Sequence, residues 1–300
     1  MKIGEAKLLA TGFYLLEAPR WFNEQLFISD FFAHKVLRFP SPVTGEHESF
    51  CEIPGQPSGL GFAKDGSMRI VSMLDRKLFK WDGLKLELVA DLSGYFKTEA
   101  NDMAMDEAGR CYIGSFGLAG FGSASIEPSP LLRVDIDGSV TVAADNLIFP
   151  NGIVFSEDGK TLFVAETYIG RVTSFPVLEN GELGERKIWK QFGTVPPVME
   201  LKSATEHLPL LPDGLALDSE GAIWVADAKG HGISRVLPSG EVVEFVETGN
   251  LSVYAATFGG PEMKTLYLCC APPVETHDPR TAKRSALMSY EGSVVGVKRR

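Results

Sequence analysis

One phrase returns six times along this chain: a polar or small lead residue, an apolar stretch, a turn, then a second short strand ending in a small or acidic residue. The copies are Glu17-Ala18-Pro19-Arg20-Trp21, Ser58-Gly59-Leu60-Gly61-Phe62, Asn101-Asp102-Met103-Ala104-Met105, Asn151-Gly152-Ile153-Val154-Phe155, Asp213-Gly214-Leu215-Ala216-Leu217 and, more weakly, Tyr254-Ala255-Ala256-Thr257-Phe258. Their spacings are 41, 43, 50, 62 and 41 residues. A period of roughly 40 to 50 residues built from short strands is the pattern of a β-propeller, one four-stranded blade per repeat. The expected fold is all-β: a six-bladed β-propeller formed by residues 1–300 as a single domain.

Each copy continues alike. Turns such as Asp106-Glu107-Ala108-Gly109 and Asp218-Ser219-Glu220-Gly221 reverse the chain, glycine supplying the positive φ. Second strands follow, among them Leu26–Asp30, Cys111–Ser115, Leu162–Glu166 and Ile223–Asp227, rich in β-branched and aromatic residues. In a propeller the first strand of each blade lines a central channel, so the lead residues are expected at one mouth of it. The hairpins after the second strands belong to the same face: Phe31–His34, the glycine-rich Phe116–Gly122, Lys229–Gly232 and Ala271–Arg284. The long fourth interval holds an insertion of about 20 residues beyond the usual period. It falls at 195–211, and its apolar members Val195, Pro196, Pro197, Val198, Met199, Leu208 and Leu210 suit a lid. Lys7 to Gly12 is expected to complete the last blade as its outer strand.

The bulk properties exclude several classes. A net charge of −10 leaves no surface to neutralise phosphates, so no nucleic acid is expected as a partner. No run approaches the roughly 18 apolar residues of a membrane span, and the opening Met1–Ala6 lacks the apolar core of a signal peptide. Cys51, Cys111, Cys269 and Cys270 lie in apolar strand patterns without CxxC spacing, as buried thiols of a reducing compartment do. The expectation is a cytoplasmic protein, monomer or dimer. No GxSxG elbow, HExxH, Walker A or helix-opening GxGxxG is present.

Four of the six lead positions carry oxygen donors: Glu17, Asn101, Asn151 and Asp213. Carboxylates converging on one mouth repel each other unless a cation lies between them. Amide and carboxylate oxygens with no His or Cys favour a hard divalent ion, Ca²⁺ first, with Mn²⁺, Mg²⁺ or Zn²⁺ as alternatives. Such an ion polarises a carbonyl or phosphoryl oxygen, and a nearby carboxylate can act as general base. The plainer explanation of Asn151-Gly152 and Asp213-Gly214, each after a proline, is a turn. It does not account for Glu17 and Asn101 in the same phase. His231, between Gly230 and Gly232, is retained as an acid or a substrate contact. Glu166 and Asp227 end second strands, either supporting the site or simply solvated. Trp21, Phe62, Phe155 and Phe258 share a repeat position and read as core between blades.

Glu17-Ala18-Pro19-Arg20-Trp21, Asn101-Asp102, Pro150-Asn151-Gly152-Ile153 and Pro212-Asp213-Gly214-Leu215-Ala216-Leu217-Asp218 together resemble the gluconolactonase, senescence-marker-protein (regucalcin) and luciferin-regenerating-enzyme family across nearly the whole chain. The resemblance implies a six-bladed propeller that hydrolyses lactones with one divalent metal. It implies Glu17, Asn151 and Asp213 as metal ligands, Asn101 as a contact to substrate or water, and Asp213 as general base. Sugar-lactone members carry an Arg where this chain has Glu99, and an acid in the loop that here reads Gly117–Phe121. The expected substrate is therefore a small lactone or ester less polar than gluconolactone. Two other functions use the same fold: a phosphotriesterase-type hydrolase on the same metal site, and a non-catalytic binding scaffold.

Overall fold

The computed structural model describes residues 1–117, 125–197, 199–273 and 276–298. Residues 118–122 of the glycine-rich loop, Val198 of the expected lid, residues 274 and 275 of the long loop and the terminal Arg299-Arg300 lie outside the described residues.

The strands form six sheets, each a meander in which successive strands pair antiparallel. These are the blades of a six-bladed β-propeller. Blade 1 comprises Leu16–Phe22, Gln25–Asp30, Lys35–Ser41 and Glu46–Glu52. Blade 2 comprises Pro57–Phe62, Met68–Ser72, Lys77–Trp81 and Leu86–Asp91; blade 3, Ala100–Met105, Cys111–Ser115, Pro128–Val134 and Val140–Ile148. Blade 4 comprises Pro150–Phe155, Thr161–Glu166, Arg171–Pro176 and Lys187–Gln191; blade 5, Pro212–Leu217, Ile223–Asp227, Gly232–Val236 and Val242–Glu247. Blade 6 takes Ser252–Gly259, Thr265–Ala271 and Ser285–Glu291 from the end of the chain. Its outer strand is Lys7–Phe13, as expected, paired antiparallel with Ser285–Glu291. Not anticipated is Lys2–Glu5, a fifth strand on blade 5 that pairs parallel with Val242–Glu247. Lys2 is held there by Glu244 at 2.7 Å and by the Tyr290 hydroxyl at 2.8 Å.

The blades group into two compact units. Blades 5, 6 and 1 form the first, and blades 2, 3 and 4 the second, with the chain passing between units at Pro57/Ser58 and Pro212/Asp213. In the first unit, Trp224, Val253, Phe258, Leu266 and Leu268 pack blade 5 on blade 6, and Leu16, Ile28, Phe39, Tyr267 and Leu287 pack blade 6 on blade 1. In the second, Val71, Leu78, Met103, Ile113 and Leu132 join blades 2 and 3, and Tyr112, Leu131, Phe155, Leu162 and Val164 join blades 3 and 4. Both faces of a middle strand are covered in this way. That is why second strands such as Ile223–Asp227 are buried throughout and read as apolar runs up to a final small or acidic residue rather than as alternating ones. Each large side chain so buried contributes about 1.5–3 kcal/mol. Phe62, Phe155 and Phe258 are buried as core, and Trp21, half-buried, stacks on Tyr267 at 5.8 Å.

The segment 195–211, expected as a lid insertion, contains a seven-residue helix, Leu201–His207. Its mixed composition has no side-chain cap and little periodicity, so docking sustains it. Ala204, Leu208 and Leu211 are buried. Ile126 donates its N–H to the Met199 carbonyl at 3.0 Å, and Ser125 bridges Glu200.

Candidate active site

The first strands of the blades begin in the same way. Glu17, Asn101, Asn151 and Asp213 are each the second residue of their strand, as is Ser58 in blade 2. All five are buried. The turn explanation of Asn151-Gly152 and Asp213-Gly214 does not hold, because both pairs lie within strands. The preceding prolines occupy the first strand position, where a missing N–H is tolerated. Gly214 is there for close approach. A Cβ would come within 2.5 Å of Ala255 Cα in the first strand of blade 6. Gly59 is alike, with Met103 N of blade 3 at 2.4 Å.

Pairing with the second strand slips at the lead residues: between Glu17 and Arg20, Ala100 and Met103, and Pro150 and Ile153. Such bulges add a residue to one strand and re-aim side chains. In blade 1 the irregularity includes Ala18 at φ 47°, a left-handed conformation costly for a residue with a Cβ. The Ala18 N–H donates to the Glu17 carboxylate at 2.9 Å. In blade 3, the Met103 N–H donates to Asp102 Oδ1 at 2.8 Å.

The first unit thus carries the two lead carboxylates, Glu17 and Asp213. Glu17 lies close enough to Cys269 that its charge adds to burial in raising that thiol's pKa well above the usual value. The second unit carries Asn101 and Asn151, which the fold brings into direct contact. Asn101 Nδ2 donates to Asn151 Oδ1 at 2.9 Å. Ser58 Oγ donates to Asn101 Oδ1 at 3.3 Å, and Asn151 Nδ2 donates to Thr167 Oγ1 at 3.3 Å. Thr167 escaped the sequence analysis because it lies just beyond a second strand, out of phase with the repeat. Ser58 was in phase but carries no charge or amide to mark it.

The donors Glu17, Asn151 and Asp213 are all oxygen, two carboxylates and one amide, which is the chemistry of a hard divalent cation. Among the described residues no three His, Cys, Asp or Glu side chains form a metal-holding group. A set whose third donor is an amide oxygen differs from such a group in kind. Asn151 Oδ1 has two lone pairs, one of which accepts from Asn101.

Three aromatic rings meet at Phe149, two residues before Asn151. Phe116 and Tyr168 each lie 4.8 Å from Phe149, at interplanar angles of 30° and 25°. Phe149 is buried at φ 50°, while its two partners are half-buried. The carbonyl of Glu99 accepts the Phe116 N–H at 3.1 Å. His231 is exposed in the turn after Ile223–Asp227, and its carbonyl accepts the Thr248 N–H.

Neither strand-end acid is solvated. Glu166 is fully buried, paired with Arg171 at 2.6 Å, accepting the Ile148 N–H at 2.8 Å and bonded to Thr173. Asp227 is buried and accepts the Lys229 N–H at 3.0 Å. No helix among the described residues is long and apolar enough to cross a membrane.

Six meandering blades with polar groups at the head of their first strands define the class as a six-bladed β-propeller. Residues 15–271 match the SMP-30/Gluconolactonase/LRE-like region, and the chain belongs to that family. It is 26% identical to a pentonolactonase from Haloferax volcanii over 272 residues, covering 88% of this chain and 84% of that one. It is 25% identical to a 6-deoxy-6-sulfogluconolactonase from Pseudomonas putida over 285 residues, covering 94% and 90%. Among solved structures, regucalcin of Agrobacterium tumefaciens, described as a calcium-binding protein, superposes with a TM-score of 0.79 at 20% identity, covering 100% of this chain and 97% of that one.

Proposed function

We propose that this protein opens a lactone ring by attack of water, and that Glu17, Asn151 and Asp213 hold a divalent cation, Ca²⁺ foremost, for that reaction. The observation that carries the proposal is the shared strand position of four buried oxygen donors, Glu17, Asn101, Asn151 and Asp213, in a chain whose relatives include lactonases. The calcium-binding description of the regucalcin neighbour supports the choice of ion. When bound, such a cation supplies Lewis-acid polarisation of the lactone carbonyl.

The residues do the rest. Asp213 accepts a proton from the attacking water as its oxygen bonds to the carbonyl carbon. The acyl C–O bond of the ring then breaks, and the proton passes to the departing ring oxygen. The product is the hydroxy acid, with one water added. Asn101 commits one amide N–H to Asn151, leaving its second N–H to orient the substrate. His231 offers a further polar contact from its exposed turn.

The substrate is proposed to be less polar than gluconolactone. The half-buried rings of Phe116 and Tyr168, both packed on Phe149 two residues before Asn151, support an apolar wall. Glu99 in place of an arginine removes a cationic contact for sugar hydroxyls. The helix-bearing segment 195–211 is proposed as a lid over that wall, its Leu208 packed on the turn at Gly170.

The test is hydrolysis of sugar lactones, dihydrocoumarin and a phosphotriester, before and after chelation and with Ca²⁺, Mn²⁺ or Zn²⁺ restored. The expected result is turnover of the aromatic lactone above the sugar lactones, abolished by chelator and restored by metal. Turnover indifferent to the chelator overturns the metal reading, and hydrolysis confined to the phosphotriester overturns the lactone.

A further inference from the structure

Four hydrogen bonds run in series through the buried polar residues of the second unit. Ser58 Oγ reaches Asn101 Oδ1 at 3.3 Å, and Asn101 Nδ2 reaches Asn151 Oδ1 at 2.9 Å. Asn151 Nδ2 reaches Thr167 Oγ1 at 3.3 Å, and Thr167 Oγ1 reaches the Pro212 carbonyl at 2.8 Å.

The last acceptor decides the direction of the whole series. A carbonyl oxygen can only accept, so the single Thr167 hydroxyl proton goes to Pro212. Thr167 Oγ1 must then accept from Asn151, and the atom facing it must be Nδ2. That turns Asn151 Oδ1 toward Asn101, which must donate through its own Nδ2 and accept from Ser58. Side-chain amides are ordinarily ambiguous to a half-turn that swaps oxygen and nitrogen. Here one main-chain carbonyl removes the ambiguity for both asparagines. Burial enforces it, because Ser58, Asn101, Asn151 and Thr167 are 1%, 4%, 5% and 2% exposed and water cannot readily replace a lost partner.

Thr167 is itself held by its main chain. Its N–H donates to the Phe149 carbonyl at 3.3 Å and its carbonyl accepts the Gly170 N–H at 3.2 Å. The Pro212 carbonyl it grips belongs to the peptide that leads into Asp213. One hydroxyl therefore bears both on the orientation of the Asn151 amide and on the peptide before Asp213.

We infer that Thr167 is a positioning residue: its hydroxyl, anchored on the Pro212 carbonyl, sets the Asn151 amide with its oxygen toward Asn101 and available as a ligand. The ligand part of this inference rests on the proposed role of Asn151. Without the hydroxyl, Asn151 Nδ2 loses its acceptor and the Pro212 carbonyl its donor, and the amide is released to turn.

Two readouts test it, both independent of turnover. The first is the side-chain amide NMR resonances of Asn101 and Asn151 in cation-free protein. The second is the Kd for Ca²⁺ and Mn²⁺ by calorimetry. Thr167→Val, which keeps the shape and removes the hydroxyl, is expected to move both resonances and weaken cation binding about 10–100-fold. Thr167→Ser, which keeps the hydroxyl, is expected to retain wild-type values in both. Should the valine variant fail to fold, Thr167→Cys, whose thiol is a weak donor, takes its place with the same expectation. Wild-type resonances and affinity in the valine variant overturn the inference. So does a serine variant as damaged as the valine one. Resonances that move as expected in a protein that binds neither ion uphold the amide orientation and defeat only the ligand role of Asn151.

Discussion

Asn101 donates a side-chain N–H to Asn151 Oδ1 at 2.9 Å, joining the first strands of blades 3 and 4 at their second residues. The two are 50 positions apart in sequence and come from successive copies of the repeat. Asn101→Leu keeps approximate volume but deprives the Ser58 hydroxyl and Asn151 Oδ1 of a partner. Each such loss in a buried setting costs about 1–3 kcal/mol. The urea midpoint is expected to fall accordingly; a midpoint unchanged from wild type would mean the pair is not formed in solution.

Asp213→Asn keeps the shape of the proposed general base and removes its ability to take a proton. The kcat for the best lactone is expected to drop about 10²–10⁴-fold. Circular dichroism and the thermal midpoint check that the fold survives. Retained turnover in a folded variant removes Asp213 from the chemistry.

Gly214→Ala places a Cβ 2.5 Å from Ala255 Cα and 2.9 Å from the Tyr254 carbonyl, both main-chain atoms that cannot swing aside. Overpacking of this kind costs about 1–3 kcal/mol. Gly66→Ala is the control: its Cβ meets nothing within 4 Å, and only its positive φ of 82° is strained. Denaturant midpoints are expected to rank wild type, then Gly66→Ala, then Gly214→Ala. Equal losses would show that the first strands of blades 5 and 6 approach less closely than described.

Burial pushes the Cys51 and Cys111 thiols up to about 12 and raises Cys269 and Cys270 as well. All four are buried and unbridged. Because only the thiolate attacks a disulfide reagent, the native protein at pH 8 is expected to release no thionitrobenzoate, and the denatured protein to release four equivalents. Rapid native labelling would contradict the burial of these strands.

Burial also pushes the Tyr112 and Tyr267 phenols up to about 12, from about 10 in the unfolded chain. A group held protonated in the native state adds stability that is complete below the unfolded pKa. That stability fades as pH rises toward the folded one, because the unfolded chain alone releases the proton. The unfolding midpoint is therefore expected to fall between pH 10 and 12, with these two phenols ionising only as the fold is lost. Absorbance at 295 nm followed alongside circular dichroism checks this. Full ionisation of all seven tyrosines in a folded protein near pH 10 would refute it.

The period and the phase were legible in the sequence because each blade must solve the same packing problem with the same short strands. Hence Glu17, Asn101, Asn151 and Asp213 could be aligned from the repeat alone, and ring closure called for an outer strand at Lys7 to Gly12, which pairs with Ser285–Glu291. The meaning of the glycines was not. Gly214 reads as a turn residue until Ala255, 41 positions away, is seen against it. Thr167 and the Phe116–Phe149–Tyr168 rings lie outside the repeat phase, so no periodicity marked them. Lys2–Glu5 joins blade 5 through a parallel pairing with residues over 240 positions distant, for which four residues carry no local signal. The sequence by itself determined what recurs, since strand length, turn chemistry and apolar patterning are local. Tertiary structure alone decided which way an amide points, because that depends on a carbonyl far along the chain that can accept a hydrogen bond but never give one.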